Sequence, residues 1–179
     1  GRKGEGALFR KILKANALLL ADPVQLWGPS ALMHTFIERC YPFSWSGGLR
    51  GLPFASISCA SNQGMHRASR ENFCKWGAGR GMRYIGGVAA HLANFPDALQ
   101  EAKLLGRQLA EAALEDAMRE NERSNGRRPF TDEEIFLSYM GRERDLFEHY
   151  IDNLTNGTGK WEGSLIQRAL IENTFKDPE

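Results

Sequence analysis

Two short segments carry the residues best suited to gripping a small ligand. The first runs Asp22-Pro23-Val24-Gln25-Leu26-Trp27-Gly28 and the second Ala60-Ser61-Asn62-Gln63-Gly64. In the first, a proline stiffens the turn and the side chains that follow present an aromatic and aliphatic wall. The second is rich in small residues and carries the amides of Asn62 and Gln63, so backbone and side-chain donors there can meet a planar heterocycle edge-on. A wall on one side and donors on the other suit a flat, partly polar ring system. A bland reading of the first segment stands level with this one: Leu26 and Trp27 merely cover the neighbouring helix.

Other candidate chemistry is weaker. His66, Arg67 and Arg70 put positive charge beside the second loop and could meet a nucleotide phosphate, against the commoner reading of a solvated surface. Gly77-Ala-Gly79-Arg-Gly81 invites a dinucleotide fingerprint. It follows a helix and precedes a strand, the reverse of the order that fingerprint needs, so a helix stop is favoured. His34 and Glu38 lie four apart on a helix, with no third metal ligand near them in the sequence. Cys40, Cys59 and Cys74 are three at wide spacing without a CxxC pair, which argues against zinc or iron-sulfur sites and for free buried thiols in a reducing compartment. No nucleophile elbow, phosphate-binding P-loop or adjacent Ser/His/Asp set offers a start to hydrolysis or phosphoryl transfer. The sequons at Asn153 and Asn156 would matter only in a secreted protein.

Elements that place the two loops can be read from the periodicity. Leu8, Phe9, Ile12 and Leu13 form a helical stripe ending at Ala15-Asn16. Ala17 to Leu20 is a continuous apolar run cut by Asp22-Pro23, which suits a strand buried on both faces of a parallel sheet. After Gly28-Pro29-Ser30, Leu32, Met33, Phe36, Ile37 and Cys40 line a helix up to Tyr41-Pro42. Phe54 to Cys59 reads as a second strand, Arg67 to Trp76 as a helix closed by Gly77 and Gly79, and Met82 to Val88 as a third strand. Asp97 is the expected cap of a long helix through Leu99, Ala102, Leu105, Leu109 and Ala112. Strands alternating with helices predict right-handed crossovers in an open parallel sheet, whose ligands bind beyond the carboxyl ends of the strands.

Beyond Met118 the composition turns polar, then Thr131 and Glu134 stand as a capping box, with Phe130 and Ile135 placed as a hydrophobic staple. Phe136, Tyr139, Met140, Phe147, Tyr150, Ile151 and Leu154 continue the stripe, and a shorter helix is expected around Leu165 to Leu170. That stripe must be buried on the sheet domain or on another subunit. The predicted organisation is therefore a sheet domain over residues 1–118 and a helical extension over 119–179.

A length of 179 residues, with 42% apolar and 25% charged residues, suits one soluble globular domain with an appendage. A formal charge of +1 gives no field to steer nucleic acid or anionic membrane. No apolar run approaches the roughly 18 residues that span a bilayer, and no secretory leader is visible. A soluble, cytoplasmic protein is expected. The chain opens on Gly1 and enters helical sequence almost at once, as a piece of a longer protein would.

The run Ala15-Asn16-Ala17-Leu18-Leu19-Leu20-Ala21-Asp22-Pro23-Val24, then Trp27-Gly28, then Leu32 and Phe36-Ile37-Glu38-Arg39, resembles the middle of flavodoxin-like NAD(P)H-dependent FMN reductases and the related iron-sulfur flavoproteins. There a strand ending in Pro-Val and an aromatic leads through a Gly/Ser turn into a helix ending in Phe-Ile-Asp-Arg. Gly81-Met82 to Gly86-Gly87 is similar to the family's fifth strand, and Ala102 to Ala110 to its last helix. The resemblance covers about residues 8 to 115. It implies an α/β fold, a flavodoxin-like doubly wound parallel sheet lacking its first strand and Ser/Thr-rich phosphate loop, with a C-terminal α-helical extension. It further implies that Pro23, Val24, Gln25, Leu26, Trp27 and Gly28 face the FMN isoalloxazine, while Asn62, Gln63 and Gly64 approach its pyrimidine edge, with Ser61 also among the cofactor-binding residues. Gln25 stands where the family usually has Tyr or Phe, which passes stacking to Trp27, and Ser61-Asn62-Gln63-Gly64 replaces the usual Gly-Gly-Gln.

The resemblance thus implies an FMN-dependent oxidoreductase passing hydride or electrons from NAD(P)H to an unknown acceptor, as a homo-oligomer without nucleic-acid or membrane partners. The alternative is a non-enzymatic flavodoxin-like module whose helical tail serves oligomerisation or partner docking.

Overall fold

The computed structural model describes residues 5–61, 66–119 and 130–143. Asn62, Gln63 and Gly64 lie outside them, as do Phe147 and the rest of the expected stripe, both sequons and the helix expected around Leu165 to Leu170.

Three strands, β1 (Leu18–Pro23), β2 (Pro53–Ala60) and β3 (Arg83–His91), pair in parallel in that order. Helix α1 (Glu5–Lys14) precedes them, α2 (Ala31–Arg39) and α3 (Pro42–Ser46) connect β1 to β2, α4 (His66–Ala78) connects β2 to β3, α5 (Phe95–Met118) follows, and residues 132–143 form α6. Parallel strands need crossovers, and here helices supply them. Alternation along the strands sorts the core into two faces. Leu20, Phe54 and Tyr84 pack with Ile12, Phe43, Phe73, Trp76 and Tyr139, whereas Ala55, Ile85 and Val88 pack with Ala98, Leu105 and Ala112 of α5.

Strand β1 departs from its expected burial. Residues of β1 alternate between covered and open, and Leu19 is 46% exposed. The reason is its position: β1 pairs with β2 alone among the described strands, and α5 packs on β2 and β3, leaving the α5-side face of β1 uncovered. An edge position also explains why the strand runs on through Pro23, since an edge strand tolerates the missing N–H. Elsewhere, Gly77 lies inside α4 instead of ending it. The long helix starts at Phe95 with Asn94 as its cap, so Asp97 falls in the first turn. The short α3, begun by Pro42, is an element the periodicity did not show. Cys40 and Cys74 are buried, and desolvation pushes the Cys40 thiol up to about 11 and Cys74 higher still, which keeps both protonated and inert. Cys59, against expectation, is exposed.

The expected helix start at Thr131 is present in full: Thr131 Oγ1 accepts from the Glu134 N–H at 3.1 Å, and the Thr131 N–H donates to Glu134 Oε2 at 2.7 Å. Phe130 and Ile135 are both buried in the first core. From that start α6 lays its stripe on the sheet domain. Tyr139 stacks on Tyr84 with centroids 5.3 Å apart and donates its hydroxyl to the Met82 carbonyl at 2.7 Å. The Tyr84 N–H, on an edge strand, donates to Ser138 Oγ at 2.9 Å, and Arg50 pairs with Asp132 at 2.6 Å while donating to the Phe130 carbonyl. Further along, Glu143 takes Arg70 and the Tyr84 hydroxyl, each at 3.2 Å.

Gly77 is one place where these layers approach closely. A Cβ there would stand 2.8 Å from the Phe54 ring and 2.9 Å from the Tyr139 hydroxyl, whereas one on Gly106 in α5 meets nothing. We expect Gly77→Ala to destabilise by about 1–3 kcal/mol through overpacking, and Gly106→Ala to stabilise by about 0.5–1 kcal/mol. Urea midpoints of the two variants check this, and equal midpoints would contradict the packing. A second expectation concerns Glu143. Burial pushes its carboxyl up, only partly opposed by Arg70 and the Tyr84 hydroxyl. A carboxyl raised in the folded state leaves stability untouched while protonated in both states, below its ordinary pKa near about 4.3, and destabilises as pH climbs through the raised value. Glu143→Gln stays neutral, so its urea midpoint should gain on wild type between roughly pH 4 and pH 7. A gap moving the other way would show a carboxylate ionised and well paired throughout.

Candidate functional site

The first loop leaves β1 at the carboxyl edge of the sheet. The Val24 N–H donates to the Cys59 carbonyl at 2.8 Å, extending the ladder by one residue. Gln25 and Gly28 then exchange both backbone hydrogen bonds, at 2.8 and 3.0 Å, closing a turn whose two central residues are Leu26 and Trp27. Their φ angles are +44° and +69°. Positive φ at both positions is the signature of a type I′ turn, normally filled by Asn-Gly. A non-glycine residue held in this region costs about 1–3 kcal/mol. The paired backbone hydrogen bonds return only about 0.5–1.5 kcal/mol each, so the turn needs further support.

That support comes from Asp22. Its Oδ2 accepts the Ser30 N–H at 2.6 Å and its Oδ1 accepts the Ser30 hydroxyl at 2.7 Å. Ser30 Oγ in turn accepts the Met33 N–H at 3.3 Å as the N-cap of α2. Bonds to a carboxylate contribute roughly 1.5–3 kcal/mol, enough to tip the balance toward the strained turn. Fastened in this way, the loop holds Leu26 at 91% and Trp27 at 65% exposure, so neither covers the neighbouring helix. That exposure disagrees with the reading in which Leu26 and Trp27 cover the neighbouring helix.

Beside this wall stand polar groups. A Cβ on Gly28 would lie 3.7 Å from His34 Nε2 and 3.9 Å from Asn72 Nδ2, so α2 and α4 each bring a side chain to the turn. Ser61, exposed, follows β2, where Cys59 pairs with Pro23. The structure thus joins Pro23, Val24, Gln25, Leu26, Trp27 and Gly28 in one turn and sets Ser61 at the adjoining strand end; Asn62, Gln63 and Gly64 fall outside the described residues. His34 and Asn72 were not singled out for this place. The signal for His34 was available, since it sits one turn beyond the cap Ser30 and donates its N–H to the Ser30 carbonyl at 2.9 Å. Spacing gave no signal for Asn72.

Arg70 does not serve as a free phosphate cation: it is turned to Glu143 at 3.2 Å. Among the described residues no group of three His, Cys, Asp or Glu could hold a metal. Across Asp22 from the turn an open groove of about 590 Å³ runs between α1, β1 and α2, walled by residues such as Leu8, Phe9, Leu18, Leu32 and Phe36. Its walls are almost wholly apolar, so a ring with a polar edge matches the turn better than the groove.

The sequence over residues 6–97, just over half of the chain, matches the family described as NADPH-dependent FMN reductase. Among solved structures, the flavodoxin, WrbA-like protein from Agrobacterium tumefaciens is similar at a TM-score of 0.52 and 16% identity, over 60% of this chain and 71% of that one. That likeness shows a flavodoxin-like fold. The Trp repressor binding protein of Bacillus subtilis (TM-score 0.48, 16% identity, 60% of this chain and 70% of that) and a flavone reductase (0.49, 14%, 100% and 83%) are more distant in shape. No curated protein matches the chain.

The strained turn gives a direct test. Leu26→Asn with Trp27→Gly keeps the turn and relieves the backbone, so we expect the thermal midpoint to rise by roughly 4–8 °C, the equivalent of about 2 kcal/mol in a chain of this size. An unchanged midpoint would show that the turn is not strained.

Proposed function

This chain belongs to the NADPH-dependent FMN reductase family, and from that premise we propose that it is an FMN-dependent oxidoreductase passing hydride or electrons from NAD(P)H through FMN to an acceptor, in the cytoplasm. The observation that carries the reading is the exposed Leu26–Trp27 turn at the carboxyl edge of β1, held there against its own backbone preference.

The residues present suit the isoalloxazine. Leu26 and Trp27 supply an apolar face for a flat ring, with Trp27 taking the stacking that Gln25 cannot provide. The Gln25 amide and the Ser61 hydroxyl supply both donors and acceptors for a polar edge, joined in sequence by Asn62, Gln63 and Gly64. When bound, the flavin supplies the hydride and electron chemistry, and the protein's part is position, hydrogen bonding and exclusion of water. In that role no side chain need act as nucleophile. Among the described residues no helix is long and apolar enough to cross a membrane.

Titration of the whole chain with FMN, followed by the quenching of flavin fluorescence, tests the reading. We expect Trp27→Ala to weaken binding about three- to tenfold, the worth of one aromatic contact, and Trp76→Phe, altered only in the core, to leave it unchanged. Equal effects would make the first loop purely structural. No binding by wild type, or no oxidation of NADPH or NADH by the loaded protein, would overturn the assignment.

A further inference from the structure

We propose that Asp22 is a positioning residue of this site: by gripping Ser30 twice it locks the Leu26–Trp27 turn and so sets where Trp27 stands. What Trp27 touches rests on the flavin reading above; the lock itself does not.

The geometry argues for this in three steps. Asp22 is itself anchored, because it lies in β1 and is paired with Ser58 of β2, so its backbone cannot follow the loop. Both of its oxygens are engaged by one residue, Ser30, through the backbone N–H and the hydroxyl, which fixes the loop's exit in direction as well as distance. Ser30 then passes the constraint on. Its hydroxyl caps α2 through the Met33 N–H, and α2 brings His34 beside the end of the turn, where a Cβ on Gly28 would stand 3.7 Å from its Nε2. Entry to the turn is held by the Val24 bond to Cys59, exit by Asp22, and the two residues between have no conformational preference for the shape they adopt.

An acid so placed serves by shape. Both oxygens of Asp22 are occupied by Ser30, at 2.6 and 2.7 Å, and Ser30 is committed to Asp22 and the helix cap together. Removing the carboxylate should therefore free the turn without unfolding the sheet. A bound ring would then meet Trp27 in many orientations instead of one.

Four variants of the full chain decide the matter: Asp22→Ala, Asp22→Asn, Ser30→Thr, and Asp132→Ala, the last removing a similarly short ion pair at the far side of the molecule. Amide hydrogen exchange at Gly28 and Ser30 is read without flavin, and FMN affinity and the quenching of bound-flavin fluorescence are read with it. We expect Asp22→Ala to exchange at least about tenfold faster at both amides, to bind FMN about tenfold more weakly, equivalent to about 1.4 kcal/mol, and to lose part of the quenching. Asp22→Asn, which keeps one acceptor, should fall between, and Ser30→Thr, which keeps the hydroxyl, should remain near wild type. Asp132→Ala should lower thermal stability and leave exchange at Gly28, affinity and quenching alone. Asp22→Ala matching wild type in exchange, or Asp132→Ala matching Asp22→Ala in affinity and quenching, would overturn the proposal. Should wild type bind no flavin, the functional reading fails by itself, and exchange at Gly28 alone then supports or overturns the lock.

Discussion

Parallel pairing of β1 with β2 decides where a ligand site can be. Because the strands run the same way, every strand carboxyl end comes to one edge, and each chain return must pass through a helix on a face of the sheet. The register that sets Pro23 opposite Cys59 brings the turn after β1 beside Ser61 after β2. It also lets the Val24 N–H continue the ladder into the turn, so the wall of Leu26 and Trp27 begins directly from a hydrogen-bonded strand instead of a free loop. A slip of one residue would turn Leu20 out of the first core and Asp22 away from Ser30, so the core and the site are protected by the same register.

Behind that edge, stability is concentrated at the opposite side of the sheet domain. Phe54, Tyr84 and Tyr139 meet where Gly77 lets α4 come close, and α6 is tied down by the Tyr139 hydroxyl, by Ser138, and by Arg50 and Asp132. Arg83 and Arg119 both lie over the Phe130 ring, which shields the start of α6 while leaving the charges near Glu115. The division has a physical sense. Among the described strands β1 pairs with β2 alone and is open on one face at Leu19, so it has little packing to spare, and the buried cluster around Tyr139 supplies rigidity from a distance.

Much of this was legible in the chain. The α/β alternation, the capping box at Thr131 and the staple between Phe130 and Ile135 are local signals, and local signals survive folding. The stripe after Thr131 told of burial without telling which surface would bury it, and the structure assigns its described part to the sheet domain. What failed was whatever depends on neighbours. Leu19 and Ala21 are exposed among the described residues although the run is apolar throughout, because an apolar run does not name the element that covers it. Exposure of Cys59 at the carboxyl edge was hidden for the same reason, since a cysteine's burial follows from its place in the sheet. Arg70 was read as a surface cation because its partner Glu143 is 73 residues away. Above all, no propensity predicts a Leu-Trp pair in a turn that favours Asn-Gly; only the distant grip of Asp22 on Ser30 makes it tenable.

That grip bears on why the turn is worth holding. Leu26 and Trp27 together carry a backbone penalty of about 2–6 kcal/mol in the left-handed region. They also leave two large apolar side chains in water, where burying a leucine alone would be worth about 1.5–3 kcal/mol. The grip of Asp22 on Ser30 and the turn's own hydrogen bonds offset the first quantity, but nothing in the described fold recovers the second, since both side chains face away from the core. A flat apolar surface laid on the wall would recover the second, and because the carboxylate has already fixed the turn, that surface would not have to order it on arrival. Preorganisation of this kind places the unfavourable energy in the empty protein and the favourable contact in the loaded one. The same accounting explains why the clamp joins a strand to a helix cap: both are rigid before any ligand comes, so the shape of the wall is set by the fold and not by what binds to it.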